Sequence, residues 1–485
     1  MSLGFFVGIG LTVCLSLYGY SAEKKNVLFI ISDDLTTTAL SCYGNKAART
    51  PNIDRLAESG VRYTRAFCQY TECGPSRASF MTGFYPSVGQ SSLLPIRKWI
   101  GNEVTWSQHF IKNGYQAAGV SKIFHMGIPC DIAEKVSSQS IDDARSWTER
   151  YLVKAPEWRS PGEGELLERN PRGVLPVKGG NTLEYVKAEG GDGVQADGKA
   201  AAKACELLRK YKREDKMFFL AVGFVRPHVP FVAPASYFNA FDMERTPLPE
   251  SVEDDWADIP PLGMNYKTSK NLNLNPLQKR KAIAAYYAAA SFMDAQVGKV
   301  LKTLKELGLE DSTIVIFTSD HGWFLGEHDF WMKLGLMEES SRVPLIIRVP
   351  GKKPAVCDSF AELIDLYPTT AELCGLGIPQ HVQGKSLVRT LDKPSSTVRD
   401  SAYCVNRTSR LLRDEKWALI QHGKISGGQT ELYDMERDPK QFTNLARKPE
   451  YAQVVQKLKK KLAAKVARAD RGSPRGRNRR QGKGR

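Results

Sequence analysis

Two short apolar runs that stop abruptly at acidic residues limit the folds open to this chain. Residues 26–32 (NVLFIIS) run into Asp33 and Asp34, and residues 312–318 (STIVIFT) are followed two positions on by Asp320. Each run is too short for a helix and rich in β-formers, so each reads as a buried strand. Similar runs lie at 115–123, 217–224 (MFFLAVGF) and 343–349 (VPLIIRV). Between them fall helical patterns. Residues 52–60 have an N-cap side chain and a closing glycine; others lie at 75–82, 106–114 and 276–307, the last capped by Gly308. Strands alternating with helices predict an α/β sandwich around a large, mostly parallel sheet. In such folds ligands gather at the carboxyl ends of strands, where both acidic stops fall.

From about residue 400 the pattern changes. SAYCVNR, SRLLRD, KWALIQH and TELYDM are short strand-like runs with close turns. They predict a small C-terminal antiparallel sheet, followed by a basic helix at 451–467. Residues 129–198 are rich in Gly and Pro, and 235–276 in Pro and Asn. Both are expected as loops that shape a pocket rim.

Charge divides the chain unevenly. Of a net +16, twelve positive charges lie between Ala452 and Arg485, where thirteen Lys/Arg meet one acid. This is a nearly neutral body with a basic tail, which excludes a basic nucleic-acid-binding domain. The tail's last part, residues 473–485, has too few apolar residues to fold. At the other end, residues 3–18 are almost entirely apolar and lead into GYSAEKK. That pattern predicts an export signal over 1–22 and no stable membrane span after its removal. The compartment expected is periplasmic, extracellular or lysosome-like. The nine Cys show no CxxC pair, so neither a zinc ribbon nor a thioredoxin motif has support. One or two disulfides are compatible with export, without assignable pairing.

Four separated segments carry groups suited to one reaction centre. Asp33-Asp34 and Asp320-His321 end strands, and clustered carboxylates suit a hard cation such as Ca²⁺ or Mg²⁺. Cys73 opens CGPSRASFMTG at a helix start, with Arg77 one turn on. A helix N-terminus and a cation together favour negative charge there. Lys122 and His125 lie in GYQAAGVSKIFH.

CGPSRASFMTG resembles the first signature of the type I sulfatases, Cys-x-Pro-Ser-Arg, here Cys73, Pro75, Ser76 and Arg77. GYQAAGVSKIFH is similar to the second signature at Gly114, Tyr115, Lys122 and His125, and departs from it at Ala117 and Ser121. The resemblance runs from about residue 26 to 445. Within the family, SKIFH, GFVRPHVPF and TSDHGWFLGEHDFWMK look most like the iduronate 2-sulfatase branch.

The resemblance implies an alkaline-phosphatase-like sandwich. Together with the leader and tail read above, it divides the chain into a signal peptide (1–22), a catalytic domain (23–395), a C-terminal antiparallel-sheet subdomain with a terminal helix (396–467) and a disordered basic tail (468–485). It implies that a maturation enzyme converts Cys73 to Cα-formylglycine, whose hydrate attacks sulfur. One Ca²⁺ would be held by Asp33, Asp34, Cys73 (as modified), Asp320 and His321. Lys122, Lys333 and Arg77 would neutralise sulfate oxygens, and His228, with His125 beside it, would protonate the leaving sugar oxygen. The substrate implied is a sulfated polysaccharide or oligosaccharide carrying 2-O-sulfated, iduronate-type uronic acid. Two alternatives remain open at this point: a phosphate or phosphonate ester hydrolase of the same fold, and a non-catalytic binder of sulfated polysaccharide.

Overall fold

The computed structural model describes residues 24–126, 142–170, 172–176, 181–264 and 267–474. The expected signal peptide and the end of the basic tail lie outside these residues. A nine-stranded sheet forms the centre. Its strands are β1 (Asn26–Asp33), β2 (Val61–Phe67), β3 (Gln116–Ser121), β4 (Glu149–Tyr151), β5 (Phe218–Pro227), β6 (Thr313–Ser319), β7 (Arg342–Arg348), β8 (Ala355–Cys357) and β9 (Ala361–Glu362). The spatial order is β8-β2-β7-β6-β1-β5-β3-β4, with β9 also on β2. β1 pairs in parallel with both β6 and β5, while β7 runs antiparallel to β6 and β2. The sheet is therefore mostly parallel, as expected.

Strand alternation sends successive side chains to opposite faces. Val27, Phe29 and Ile31 of β1 join one core with α2 (Cys73–Thr82), α3 (Trp106–Lys112) and α6 (Leu366–Leu373). Leu28 and Ile30 join the other, with α1 (Pro51–Ser59), α4 (Ala196–Arg213) and α5 (Pro276–Glu306). Phe29 packs at 4.9 Å from Trp106 and 5.8 Å from Phe80, tying β1 to α3 and α2. Helices thus cover both faces, which is what strands apolar on both sides demand.

The C-terminal runs form a four-stranded antiparallel sheet in sequence order: β10 (Ser401–Val405), β11 (Ser409–Asp414), β12 (Trp417–His422) and β13 (Thr430–Asp434). The terminal helix α7 (Ala452–Gly472) packs on it through Leu458 and Leu462 and runs past residue 467, where the tail was expected to begin.

Two segments differ from the sequence reading. Residues 129–198 are not loop alone: β4 extends the main sheet, and strands at Gly162–Leu166 and Glu184–Ala188 form a small sheet with Phe231–Pro234. β4 and Gly162–Leu166 are polar and partly exposed, and Glu184–Ala188, though mostly buried, is short and carries Glu and Lys, so no apolar run marks these three. α4 begins inside the same stretch and runs 18 residues, recruited by packing of its alanine face against α5. The stretch 235–276 likewise holds short helices at Ala235–Phe238 and Ser269–Leu272. All seven described cysteines are free thiols.

Candidate active site

The residues singled out above converge at the carboxyl ends of β1 and β6 and the N-terminus of α2. Alternation along β1 would point Asp33 and Asp34 to opposite faces. Asp34 takes a left-handed backbone (φ 61°), which breaks that alternation, and both carboxylates are fully buried. The turn is held by Tyr286 of α5, whose hydroxyl donates to Asp34 O at 2.6 Å and accepts from Thr36 N at 2.9 Å. Ser319 Oγ accepts from Leu35 N at 2.9 Å, and Asp320 Oδ1 from Asp34 N at 3.1 Å.

Cys73 is the first residue of α2 and is 2% exposed. Its sulfur lies 3.2 Å from His321 Nε2, 3.2 Å from Lys333 Nζ and 3.6 Å from Asp34 Oδ1. Lys333 Nζ also donates to Asp34 at 2.9 and 3.0 Å. His321 Nδ1 is 2.9 Å from Gly322 O, which turns Nε2 toward Asp34 Oδ1 at 3.2 Å. Gly74 is required beside Cys73, since a Cβ there would fall 2.6 Å from the Ser92 backbone.

Arg77 is fully buried, and its five donors are all committed. Nε bonds Asp320 at 2.8 Å and Nη2 bonds Asp33 at 3.2 Å, while the rest reach the carbonyls of Ser32, Lys122 and Ile123. The expected contact of Arg77 with sulfate oxygens therefore has no free donor to make it. Arg77 instead clamps two site carboxylates to the loop after β3. Lys122 on that loop pairs with Asp33. Lys122 can sit there because β5 carries Gly223 opposite it, where any Cβ would fall 2.0 Å from Lys122 O.

His228 follows β5, and its Nε2 lies 3.6 Å from Asp34 Oδ2. Its loop is held by Arg226, which pairs with buried Glu157 and donates to the carbonyls of His228 and Pro230. His125 sits beside Lys122, and its buried Nδ1 has no hydrogen-bond partner among the described residues.

The charges are strongly coupled. Burial alone would raise Asp33, but the permanent cations Lys122 and Arg77 hold it well below the usual carboxylate range. Burial wins at Asp34 and pushes it up despite Lys333. His321 moves the other way: burial disfavours its cation, but Asp320, Cys73 and Asp34 push it well above an ordinary imidazole. Burial, with Lys333 and Lys122, drives His228 well down; burial and Lys122 take His125 down to about 3. In this state both His228 and His125 are neutral.

Two overlapping donor groups can hold a metal ion: Asp33, Asp34, Cys73 and His228, and Cys73, Asp320 and His321, with donor atoms in each group within 4.8 Å of one another. Three carboxylates suit a hard cation. Sequence reasoning singled out all six of these residues, five as candidate metal ligands and His228 as a candidate acid. It missed the supports Tyr286, Ser319, Arg226 and Glu157. Tyr286 was signalled only by a tyrosine pair in an alanine-rich helix; Arg226 and Ser319 lie in the quoted GFVRPHVPF and TSDHG segments without a role assigned, and nothing local marked Glu157.

Comparison with known proteins gives the family. The family model described as Sulfatase matches residues 25–376, and one described as N-sulphoglucosamine sulphohydrolase, C-terminal, matches 326–468. The chain is 32% identical over 403 residues to iduronate 2-sulfatase of Homo sapiens, covering 74% of this chain and 70% of that protein. It is 31% identical over 457 residues to a sulfatase of Formosa agariphila, covering 90% and 86%. Among solved structures, the phosphonate monoester hydrolase of Agrobacterium radiobacter superposes with a TM-score of 0.73 at 23% identity, covering 92% of this chain and 96% of that one. At that identity the likeness shows the fold alone, an alkaline-phosphatase-like α/β sandwich. The matched family model spans most of the chain, both signatures and both acidic strand ends, and this protein belongs to the sulfatase family.

Proposed function

We propose that this protein removes the 2-O-sulfate of an iduronate-type uronic acid in a sulfated glycan. The observation that carries the reading is the meeting of Cys73 with Asp34, His321 and Lys333, all within 3.6 Å, at the mouth of a helix. The choice of sugar is supported by the similarity to iduronate 2-sulfatase over three quarters of the chain.

Asp33, Asp34, Asp320 and His321 would hold Ca²⁺, and residue 73 would carry formylglycine; when bound, the two supply a fixed positive charge and an oxygen nucleophile. The protein's own groups do the rest. Lys333 and Lys122 present ammonium groups to an anionic ester, and such preorganised charge acts most strongly on the charge that develops during reaction. Asp34 lies against residue 73 and is positioned to take a proton from the attacking oxygen. The orphaned Nδ1 of His125 is a ready partner for a substrate hydroxyl. His228 is neutral because two lysines and burial disfavour its cation. An arriving anion offsets those lysines and favours the imidazolium needed to protonate the departing sugar oxygen. Arg77 and Arg226 position this machinery without touching substrate.

The test is a panel of sulfated disaccharides offered to enzyme whose residue 73 is shown by peptide mass to be the aldehyde. Sulfate release confined to 2-O-sulfated uronate is the expected result. Release only from 6-O-sulfated glucosamine would overturn the sugar assignment. Faster cleavage of aryl phosphates or phosphonates than of aryl sulfates would overturn the ester class.

A further inference from the structure

A second cationic cavity lies at the far end of α2 from Cys73, about 15 Å along a ten-residue helix. It has a volume of about 90 Å³ and is lined by Tyr85, Gln383, Lys385, Arg399, Asp400, Lys465 and Arg468. That is room for a few waters or one tetrahedral oxyanion. Gln383 builds its wall, accepting from Tyr85 N at 2.9 Å and donating to Ala469 O at 3.0 Å, which fixes α7 against the catalytic body.

The cations around this space are not matched by acids. Arg399 is spent on Glu362 and Asp365 below the cavity floor. Lys465 leans toward Glu362 at 3.4 Å and over the Tyr85 ring at 5.5 Å. Asp400, the acid in the lining, is held by Lys461 at 3.0 Å. That leaves Lys385 and Arg468. Lys385 Nζ donates only to Val398 O at 3.0 Å, and Arg468 makes no hydrogen bond or ion pair among the described residues. Burial, followed by crowding from Arg399, Arg468 and Lys465, outweighs Asp365 and makes the Lys385 ammonium easier to deprotonate than usual.

We propose that this cavity is a binding site for a sulfate-type oxyanion, held by Lys385 and Arg468 of its lining. Two unmatched cations suit the double charge of free sulfate, and also a sulfate group borne by a polysaccharide chain. The site shares no residue with the catalytic centre. Its occupation would pin α7 to the body through Arg468.

The experiment uses the full-length protein and reads thermal unfolding in sodium sulfate against sodium chloride at equal ionic strength. This comparison removes screening, and the variants remove the general stabilising action of sulfate and its binding at the catalytic centre. Wild type should gain about 1–2 °C more from sulfate than Arg468→Ala or Lys385→Met. Arg468 is exposed, so Arg468→Glu provides a second variant that folds and should abolish the increment. Turnover of a small aryl sulfate should be unchanged in all three. If the variants also show a raised KM for a sulfated polysaccharide, the ligand is polymer-borne sulfate; if that KM is unchanged, it is free sulfate. Equal sulfate increments in wild type and variants would overturn the site. The unfolding measurement needs no catalysis, so it stands apart from the proposed function; only the polysaccharide arm rests on that reading.

Discussion

Lys333 is the residue that most directly links charge to reaction, because it touches both Cys73 and Asp34. Lys333→Ala should lower kcat/KM for an aryl sulfate by about 10²–10³-fold, the usual cost of removing one preorganised donor. Cys73→Ala should abolish turnover while leaving the melting temperature near that of wild type; retained turnover in Cys73→Ala would remove the nucleophile assignment. Arg77 behaves differently. Its removal leaves Asp33 and Asp320 buried without their clamp, so Arg77→Met should destabilise the fold by about 3–5 kcal/mol in denaturant titration, as well as inactivating it. The sequence identified Arg77 as part of the site because it follows Cys73 in a recognisable pattern. That its five donors are consumed by protein groups depends on residues 32, 33, 122, 123 and 320, which no local pattern connects. Asn406 gives a second residue-scale case. It opens the sequon Asn406-Arg407-Thr408, but its Nδ2 donates to Leu334 O at 2.7 Å and its Oδ1 accepts from Thr408 N and Ser409 N. Folded protein expressed in a glycosylating host should keep this asparagine unmodified, as peptide mass would show.

At the scale of elements, close approach decides more than propensity. β5 must pass the Lys122 loop without a side chain at Gly223. Gly223→Ala should therefore cost at least about 1–3 kcal/mol of stability, the range for overpacking, and should lower activity by displacing Lys122. Recovery of full activity in a stably folded alanine variant would contradict that account. The long apolar strands were legible from sequence because both their faces are buried, which leaves an unbroken hydrophobic run. β2 and β4 were not. VRYTRAF and ERY carry arginines and are half-exposed, so their place in the sheet comes from pairing with β7 and β3 rather than from their own composition. The insertion between β3 and β5 also supplies Glu157, which holds Arg226 and through it the His228 loop. A segment that reads as a polar rim is in this way part of the positioning of a catalytic candidate.

Across the whole molecule, the site is an assembly of distant chain segments. Asp33, Cys73, Lys122, His228, Asp320 and Lys333 span 300 positions of sequence and come together because β1 lies between β5 and β6. A cation bound to the folded form alone stabilises it by mass action, about 2.7 kcal/mol at a hundredfold excess over Kd. Chelator-treated protein should therefore melt higher when Ca²⁺ is restored, and Asp33→Asn or Asp320→Asn should lose that increment. An equal increment in those variants would place the ion elsewhere. The C-terminal sheet also belongs to this unit. A parallel bridge between Tyr70 and Val405 ties it to the segment that leads into α2, and Arg407 pairs with Glu72, the residue before Cys73, at 2.9 Å.

The sequence by itself determined the chemistry available and the class of fold. The thiol, the acids and the bases are fixed by residue type, and apolar runs that end in acids can be satisfied only by buried strands with polar tips. The tertiary structure decided which of these groups keep a donor or acceptor to offer and which are consumed in holding the others. That division rests on buried hydrogen bonds between residues hundreds of positions apart, and a donor already satisfied by protein has nothing left to offer a ligand.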